Sequence, residues 1–370
     1  MRILVVNAGS SSTKLRVVDD DEPGEPLARA DLDAIDASAR RETTAEGLRR
    51  AIVGLGPVDA VGHRIVHGGT EYRDATLVDD LVVERLAALA DLAPLHQPAN
   101  LTALQAARAV LPDAPHIACF DTAFHASIPD AAATYALPRE WRDRWPIRRF
   151  GFHGLSHAYA ARRAAELLGR PAAELRLVTA HLGAGASLAA VAGGRSVDTT
   201  MGFTPLEGLV MATRSGSVDP GLVLWLQRNA GLEADALADG LEHRSGLLGL
   251  GGTADMRELL AAAQDGSADA ALARDVYVHR LRAGIAAMAA SMSGLDALVF
   301  TGGVGENAAP IRGRAVDGLG FLGLGVDVDS NQRGAGDRVI SSGGGTASVL
   351  VVASREEIEI ARQVRSLPVA

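Results

Sequence analysis

The sequence predicts an α/β protein made of two related domains. Residues 3–18, ILVVNAGSSSTKLRVV, form two apolar segments of strand length joined by a tight turn from Asn7 to Lys14. Residues 177–191, LVTAHLGAGASLAAV, repeat the order of apolar strand, Gly-rich turn and apolar strand. Because strand and helix patterns follow each hairpin, we expect two mixed sheets flanked by helices, each sheet opened by its own hairpin.

The first hairpin has the composition of a phosphate-binding turn. Ser10 and Ser12 supply hydroxyl donors, the backbone supplies amides, and Lys14 supplies an ammonium group. Lys14 is the only lysine among 36 basic residues, so a compact point charge stands at a turn in a chain that otherwise uses arginine. Asn, Gly and Ser are also ordinary turn formers, so one hairpin alone does not decide for phosphate.

Two such turns facing one another could hold a nucleotide across a cleft. This arrangement resembles the superfamily of actin, hexokinase and Hsp70, which has the ribonuclease H-like fold. The resemblance implies an active site in the interdomain cleft.

Length and composition indicate a soluble chain with two cores. It has 370 residues, of which 48% are hydrophobic. The net charge of −9 and the absence of basic runs argue against nucleic acid and anionic membranes as partners. No apolar run reaches about 18 residues and MRILVVNAGSS lacks a signal-peptide pattern, so we expect a cytoplasmic location. Cys119, the only cysteine, lies among apolar residues typical of a buried thiol.

Periodicity and capping signals predict the remaining elements. We expect helices at 43–55, 79–92, 233–248, 255–264 and 269–293, and strands at 60–66, 116–121, 296–300 and 348–353. Asn100 and Ser156 are the expected N-caps of the helices that follow them, and TGGVGENAAP (301–310) is expected to be a turn. The first domain is expected to comprise 1–149 and about 357–370, with the last helix packed back on it, and the second domain 150–356.

A few polar residues follow strands or precede helices. Asp121 follows a buried strand, where open α/β sheets place their chemistry, although a turn-capping aspartate has the same pattern. His153 immediately precedes a predicted helix, whose first amides attract anions. His63 and His67 have the i, i+4 spacing of a zinc pair, but their segment is β-branched and lacks the HExxH context, which disfavours a metal there.

Eight motifs, in order along the chain, resemble those of the acetate kinase family. They are NAGSSSTK, GHRIVHGG, FDTAFH, FGFHGLSH, HLGAGAS, DTTMGFTPLEGLVMATRSGSVDP, DMRE and FTGGVGEN, and a Glu pair in the last helix completes the set. They extend from residue 3 to residue 361, with a shortened segment between about 19 and 58. The resemblance implies reversible phosphoryl transfer between ATP and acetate, giving ADP and acetyl phosphate, with Mg²⁺ or in its place Mn²⁺.

The resemblance also implies a role for each residue at a matching position. Those at the reacting groups are Asn7 and Glu356 for magnesium, Arg64 and Arg214 for the acyl and phosphoryl groups, Asp121 as active-site acid, and His153 as transition-state stabiliser. Those expected to enclose the acetate methyl group are Val66, Leu95, Phe152 and Pro205. Those expected at the nucleotide, besides Lys14, are His181, Leu182, Gly183, Ala184 and Gly185; Asp255, Met256 and Arg257; and Gly303, Val304, Gly305, Glu306 and Asn307.

The implied residues suit the implied chemistry. Phosphoryl transfer needs in-line positioning and neutralisation of the transferred oxygens, which two arginines, a histidine donor and a divalent metal supply. Acetate is already an anionic nucleophile at neutral pH, so Asp121 is expected to orient Arg214 or a magnesium-bound water. Taken singly, Arg64 is equally consistent with a structural ion pair, and His153 with a capped loop histidine.

The second hairpin departs from the family pattern. Ala184 stands where acetate kinases usually carry asparagine, and Ala186 replaces a frequent serine, so two side-chain donors to phosphate are missing. Nucleotide affinity and the identity of the phosphoryl donor are therefore open. The choice between acetate, propionate and another short carboxylate is open as well.

Two other functional classes are compatible with parts of the sequence. Gly303, Gly305 and Ala308 fit G-x-G-x-x-A after a strand, with Asp327 about 20 residues on, as in dinucleotide-binding oxidoreductases. That fingerprint should open a domain, whereas here it comes late. A non-catalytic, ATP-binding member of the actin-like superfamily is the other alternative. For the kinase, the second half, with its long apolar helices, is expected to supply a twofold homodimer interface.

Overall fold

The computed structural model describes residues 1–9, 12–19, 26–33, 41–94 and 96–368, of which 41–45 by their main chain only. The chain packs as two compact units. The first comprises Met1–Ala126, Phe152–Tyr159 and Arg355–Ala370, and the second Ser127–Gly151 and Ala160–Ser354. The domain limits and the interdomain cleft expected from the sequence stay predictions.

The first unit is built on a mixed sheet with six strands in the described ranges. They are β1 (Ile3–Ala8), β2 (Ser12–Val18), β3 (Ala28–Asp33), β4 (Ala60–Ile65), β5 (Thr76–Leu77) and β6 (His116–Phe120), in the order β3-β2-β1-β4-β6-β5. The first three form an antiparallel meander, β4 and β6 continue the sheet parallel to β1, and β5 closes it as an antiparallel edge. The carboxyl ends of β1, β4 and β6 therefore lie at one edge of the sheet.

The second unit repeats this topology strand for strand. Its described strands are β7 (Arg176–Leu182), β8 (Ala186–Ala192), β9 (Arg195–Thr199), β10 (Ala297–Thr301), β11 (Arg338–Val339) and β12 (Ser348–Val351), in the order β9-β8-β7-β10-β12-β11. Again a meander comes first, two parallel strands follow, and a short antiparallel strand forms the edge. The two mixed sheets predicted from the repeated hairpin are confirmed.

Fifteen α-helices are present in the described part of the chain. They are α1 (Arg41–Gly54), α2 (Asp80–Ala88), α3 (Gln97–Val110), α4 (Asp130–Ala133), α5 (Arg139–Arg144), α6 (Gly154–Leu168), α7 (Pro220–Asn229), α8 (Ala234–His243), α9 (Gly246–Gly251), α10 (Met256–Gln264), α11 (Ala268–Ser291), α12 (Gly302–Asn307), α13 (Ala309–Asp317), α14 (Val328–Gln332) and α15 (Glu356–Ser366). Short 3₁₀ turns occur at Ala90–Leu92, Ala123–Ser127, Ala172–Glu174 and Gly320–Leu322. None of the described helices is both long and apolar enough to cross a membrane.

Strand β1 alternates its side chains between two helical layers. Leu4 and Val6 are buried with Leu48 of α1 and other residues of α1 and α3, because successive side chains of a strand point to opposite faces. Ile3 and Val5 face the other way and are buried with residues of α15. The predicted packing of the last helix on the first half is therefore confirmed. Cys119 lies in the same buried cluster, and burial raises the pKa of its thiol.

Two segments predicted to be turns differ from the expectation. Asn7 and Ala8 belong to β1, and Lys14 belongs to β2, where it lies opposite Asn7 in the strand register. The residues TGGVGENAAP are not a turn, because Gly302–Asn307 form α12 and a further helix starts at Ala309. Gly302 takes φ +77°, which lets the chain turn directly from β10 into this helix.

One predicted helix is interrupted. The segment expected to be helical from 233 to 248 divides into α8 and α9, because Gly246 takes φ +63° and lies against the Met211 carbonyl. The other long predicted helices occur within a few residues of their expected bounds, including the 24-residue α11.

Gly62 and Gly47 provide a matched test of this packing. A Cβ at Gly62 on β4 would lie 2.5 Å from Cγ2 of Ile360 and 3.0 Å from Cγ2 of Val364. We expect Gly62→Ala to lower the free energy of unfolding by about 1–3 kcal/mol through overpacking. Gly47→Ala in α1 adds the same methyl group with nothing within 4 Å, and should raise it by about 0.5–1 kcal/mol. Urea unfolding measures both, and an unchanged midpoint for Gly62→Ala would contradict the packing of α15 on β4.

Candidate active site

Four polar residues of the first unit meet where its parallel strands end. Asn7 lies near the end of β1, Arg64 near the end of β4, Asp121 directly after β6, and Glu356 is the first residue of α15. We call these four residues the Arg64 cluster. Since β1, β4 and β6 are neighbours in the sheet, their carboxyl ends bring together residues that are far apart in sequence.

Arg64 is the centre of this cluster. Its Nη2 donates to Oδ2 of Asp121 at 2.6 Å, and its Nε lies 3.2 Å from both carboxylate oxygens. Its Nη1 donates to Oδ1 of Asn7 at 3.2 Å, and the Asn7 amide in turn donates to Oε2 of Glu356 at 2.8 Å. Asp121 thus orients Arg64, a role that the sequence did not predict for it.

The charges of the cluster are unequal. Burial by itself lowers the pKa of Arg64, but the carboxylates of Asp121 and Glu356 raise it by more than burial lowers it. The guanidinium therefore stays charged. Burial raises the pKa of Asp121, and Glu356 adds to the rise, while Arg64 opposes it. Two carboxylates share one guanidinium at this edge of the sheet, which leaves the cluster short of positive charge.

This deficit fits a divalent cation. Carboxylate and amide oxygens are the hard donors that Mg²⁺ prefers, and Mg²⁺ commonly takes one or two carboxylates and completes its shell with water and phosphate. Asn7 and Glu356 supply such oxygens within one cluster. Among the described residues, no group of three or more His, Cys, Asp or Glu could hold a metal by itself.

His153 is held close to this cluster by the main chain. It takes φ +57°, a left-handed conformation that is rare outside glycine, and it immediately precedes α6. The amide of Gly154 donates to the carbonyl of Asp121 at 2.9 Å, and a side chain at Gly154 would collide with that carbonyl. Ser156 is not the N-cap of this helix, because α6 begins at Gly154 and Ser156 is buried in its first turn.

The apolar residues predicted around the acetate methyl group fall in different places. In the first unit, Val66 and Phe152 are buried, and His67, next to Val66, contacts the Phe152 ring edge-on with 5.5 Å between centroids. Pro205 belongs to the second unit, where its carbonyl accepts a hydrogen bond from Nη1 of Arg214 at 3.3 Å. Leu95 lies outside the described residues.

The first hairpin is placed differently from the expectation. Ser12 begins β2 and Lys14 is exposed on that strand, so neither residue belongs to a turn. Ser10 lies outside the described residues. The lysine is therefore held in a strand register opposite Asn7 rather than carried at the tip of a turn.

In the second unit, two of the motifs expected at the nucleotide lie at the carboxyl ends of the neighbouring strands β7 and β10. His181 and Leu182 end that strand, and Gly183, Ala184 and Gly185 form the turn into β8. Helix α12, which carries the five residues from Gly303 to Asn307, starts at the end of the neighbouring strand β10. Both motifs therefore occupy the carboxyl edge of the second sheet.

Main-chain hydrogen bonds fix this edge further. The amide of Ala212 donates to the carbonyl of Ala184 at 3.1 Å, and the amide of Met211 donates to the carbonyl of Arg214 at 3.1 Å. The tight loop that carries Arg214 is thereby docked on the β7–β8 turn. Burial lowers the pKa of Arg214, and Glu242 opposes that change.

The third motif expected at the nucleotide forms the start of helix α10. Asp255 caps α10 by accepting from the amide of Arg257, and its carboxylate also pairs with that guanidinium at 2.6 Å. Hydrogen bonds from Arg257 lower the pKa of Asp255 to about 2. Met256 is buried behind them, whereas the Arg257 side chain is exposed.

Comparison with known proteins decides the family. The model of the acetokinase family matches residues 48–362. The acetate kinase of Gloeobacter violaceus is 47% identical over 98% of each chain, and that of Streptomyces coelicolor is 45% identical over 99% of this chain and 97% of its own. The chain belongs to the acetokinase family.

Solved structures agree with this assignment. The crystal structure of Porphyromonas gingivalis acetate kinase superposes with a TM-score of 0.89 at 35% identity, covering 99% of both chains. A propionate kinase from Francisella tularensis superposes with a TM-score of 0.90, also at 35% identity and over 99% of both chains.

Membership of the acetokinase family leaves the oxidoreductase alternative without support. The carboxylate of Asp327, which that alternative would place on a ribose, caps α14 by accepting from the amide of Ser330 at 2.8 Å. The zinc alternative is also unsupported, because His63 is hydrogen-bonded to His116 at 2.9 Å, while Nδ1 of His67 accepts from the amide of Gly69.

Asn100 of this acetokinase has a different role from the helix cap that the sequence predicts. Helix α3 starts at Gln97, so Asn100 lies inside the helix and is not its cap. Its amide donates to the carbonyl of Ala8 at 2.7 Å, and its oxygen accepts from the amide of Val66 at 3.0 Å. It thus ties the ends of β1 and β4, beside Asn7 and Arg64, and only the fold could reveal this role.

The sequence did not indicate a structural role for Arg312. Its side chain is buried and donates to the carbonyls of Gly305 and Glu306 at 2.8 Å each, and to the oxygens of Asn331. It therefore holds the last turn of α12. A buried arginine that binds carbonyl groups has no signal in the sequence.

Two buried histidines make stability depend on pH. Burial lowers the pKa of both His67 and His125 to about 4, although the hydrogen bond of His125 to the Phe152 carbonyl opposes the shift. Since a histidine in the unfolded chain titrates near 6.5, the stability due to each neutral ring is complete above about pH 6.5. It is lost as the pH falls towards 4, by roughly 2 kcal/mol per histidine at pH 5.

Urea unfolding at pH 7.5 and pH 5.0 measures this loss. His125→Gln keeps an N–H donor for the Phe152 carbonyl but cannot titrate, so its loss between the two pH values should be smaller by about 2 kcal/mol. His243→Gln, at the exposed end of α8, should lose as much as the wild type. Equal losses in all three proteins would show that His125 does not titrate as its burial implies.

Proposed function

We propose that this chain is an acetate kinase, which transfers the γ-phosphoryl group of ATP to the carboxylate of acetate and, in reverse, from acetyl phosphate to ADP. The Arg64 cluster carries the proposal. A guanidinium held in a fixed orientation by Asp121 suits carboxylate and phosphoryl oxygens, and it lies in a chain whose full-length relatives are acetate kinases. ATP as co-substrate supports the cytoplasmic location expected from the sequence.

The residues of the first unit serve the carboxylate and the metal. Arg64 binds the carboxylate of acetate, and Val66 and Phe152 surround its methyl group, with Leu95 assigned there by motif alone. Asn7 and Glu356 hold Mg²⁺, which when bound neutralises charge on the nucleotide phosphates. His153 donates a hydrogen bond to the transferred phosphoryl group. Its left-handed backbone conformation sets the direction of the side chain just before α6.

The residues of the second unit serve the nucleotide and the phosphoryl group. The β7–β8 turn, the start of α10 and helix α12 bind ATP or ADP, and Lys14, Ser10 and Ser12 add donors from the first unit. Arg214 stabilises the phosphoryl oxygens. Because its guanidinium is partly desolvated, an anion gains more from it than from an arginine in water.

A hydroxamate assay tests the proposal. We expect product with ATP and acetate, less with propionate and little with butyrate, because each added methylene must fit among the apolar residues. The phosphoryl donors to compare are ATP, GTP and pyrophosphate, since Ala184 stands where the family usually carries an asparagine that binds phosphate. Bound ATP without turnover of any carboxylate would instead favour a non-catalytic binding protein, and best activity with propionate would make the chain a propionate kinase.

Arg214→Lys tests the arginine at the phosphoryl group. Losing one preorganised donor should lower kcat at least about a hundredfold, while KM for acetate changes little. Arg139→Lys, which changes an exposed arginine of α5, is the control and should keep wild-type kcat. Wild-type turnover by Arg214→Lys would exclude Arg214 from the reacting groups.

We further propose that the protein is a homodimer joined through α7. No residue of this helix is buried, yet Leu222, Leu224 and Trp225 are apolar and 47–56% exposed. Exposed apolar residues in such a run mark an interface. Arg228 lies in the last turn of α7, and the acidic residues Glu233 and Asp235 follow the helix, so a second copy turned by a twofold axis offers opposite charges to the same segment.

Sedimentation velocity at micromolar concentration tests the dimer. We expect the wild type to sediment as a dimer and Trp225→Glu as a monomer, because a charge would be buried without a partner. Phe321→Glu places the same charge on another exposed aromatic, 75% exposed, and should stay dimeric. A dimeric Trp225→Glu variant would move the interface elsewhere, and a monomeric wild type would exclude it.

A further inference from the structure

One carboxylate holds the first part of the loop that carries Pro205 and Arg214. Residues 200–217 contain no helix or strand, and a loop of this length needs contacts from elsewhere to keep a single conformation. Glu207 supplies those of the part before Pro205. Both of its carboxylate oxygens are engaged, Oε2 by the hydroxyl of Tyr135 at 2.5 Å and Oε1 by Nη2 of Arg149 at 2.8 Å.

The two partners of Glu207 also bind the loop main chain. The hydroxyl oxygen of Tyr135 accepts from the amide of Phe203 at 3.0 Å. Nη1 of Arg149 donates to the carbonyls of Thr200 and Met201 at 3.2 and 3.1 Å. Tyr135, Arg149 and Glu207, which we call the Glu207 triad, therefore hold the segment just before Pro205 at three points.

The fit around the triad is close. A side chain at Gly202 would collide with both the Glu207 carboxylate and the Tyr135 hydroxyl. Burial, and then the hydrogen bond to Glu207, raises the pKa of Tyr135, so its hydroxyl stays a donor at all ordinary pH values. The guanidinium of Arg149 lies 5.5 Å from the centre of the Tyr135 ring and stacks over it.

The same segment is hydrogen-bonded to the two residues of the second unit that precede Phe152. The carbonyl of Gly202 accepts from the amides of Phe150 and Gly151 at 3.0 and 3.3 Å. Phe152 and His153 follow directly in the sequence. The loop bearing Pro205 is thus bonded to the two residues that precede Phe152.

We propose that Glu207 is a positioning residue that sets the acyl specificity by fixing the loop that carries Pro205, the residue of the second unit that the family motif assigns to the acyl group. This inference rests on the proposed acetate kinase activity and adds to it the device that keeps the acyl pocket small. A pocket rejects a longer acid only if its walls cannot move, because an extra methylene in a rigid apolar pocket costs a factor of about 10 to 200. With the triad intact the loop that carries Pro205 is fixed, and without it this loop can yield to a longer acid.

The test compares three variants with carboxylates of increasing length. Glu207→Gln removes the charge, and Tyr135→Phe removes one hydrogen bond but keeps the ring. Asp337→Asn is the control, since Asp337 is likewise a carboxylate of the second unit with an arginine and a second donor as partners, Arg163 at 2.7 Å and the amide of Ala353. The measured quantities are kcat/KM for acetate, propionate and butyrate, KM for ATP, and the thermal midpoint of each protein.

We expect the ratio of kcat/KM for acetate to that for butyrate to fall about tenfold in Glu207→Gln, and by less in Tyr135→Phe, with KM for ATP within about twofold of wild type. Asp337→Asn should keep the wild-type ratio even where its thermal midpoint falls. A selectivity ratio separates positioning from loss of stability, because unfolded protein lowers both rates equally.

The outcomes separate this inference from the proposed function. A wild type that turns over no carboxylate would overturn both. A wild type that turns over acetate, with unchanged ratios in Glu207→Gln and Tyr135→Phe, would overturn the inference alone. Should Glu207→Gln not fold, Tyr135→Phe decides the matter, and an equal fall in the Asp337→Asn ratio would also count against the triad.

Discussion

The candidate site of the first unit depends on the ion pair between Arg64 and Asp121. A charge taken out of water is costly unless a partner and hydrogen bonds compensate it, and removing one partner leaves the other charge buried and unpaired. Here the guanidinium of Arg64 makes three hydrogen bonds to Asp121 and one to Asn7. The pair is also linked to the remaining groups, because Nη1 of Arg64 donates to Oδ1 of Asn7 and the Asn7 amide donates to Glu356.

This ion pair exists because two parallel strands are neighbours. β4 pairs with β6 in a register that sets Ile65 beside Phe120, so the residues at their carboxyl ends meet although 57 positions separate them. Main-chain bonds such as that from Gly154 to the Asp121 carbonyl then bring in His153. Since the strand order is repeated in the second unit, the same edge of its sheet carries the β7–β8 turn and α12.

Much of the fold could be predicted from local patterns. The two hairpins, the long helix α11 and the buried strand β10 have strong periodicity and occur where it indicates them. The errors have specific causes. Asn100 has the residue type of a cap, but its side chain satisfies the main chain of two strands instead. The glycines after β10 look like a turn, yet one positive φ is enough to start a helix.

The sequence by itself determined the α/β class, the internal repeat, the order of the motifs and the residue types of the candidate site. These follow from local periodicity, turn chemistry and motif spacing, which each segment carries alone. Only the tertiary structure decided that Asp121 orients Arg64, that Asn100 joins β1 to β4, that Arg312 holds α12, and that Glu207 holds its loop through Tyr135 and Arg149. Those contacts join residues distant in the chain, and a carboxylate or amide in a sequence does not reveal which distant donor the packing will bring to it.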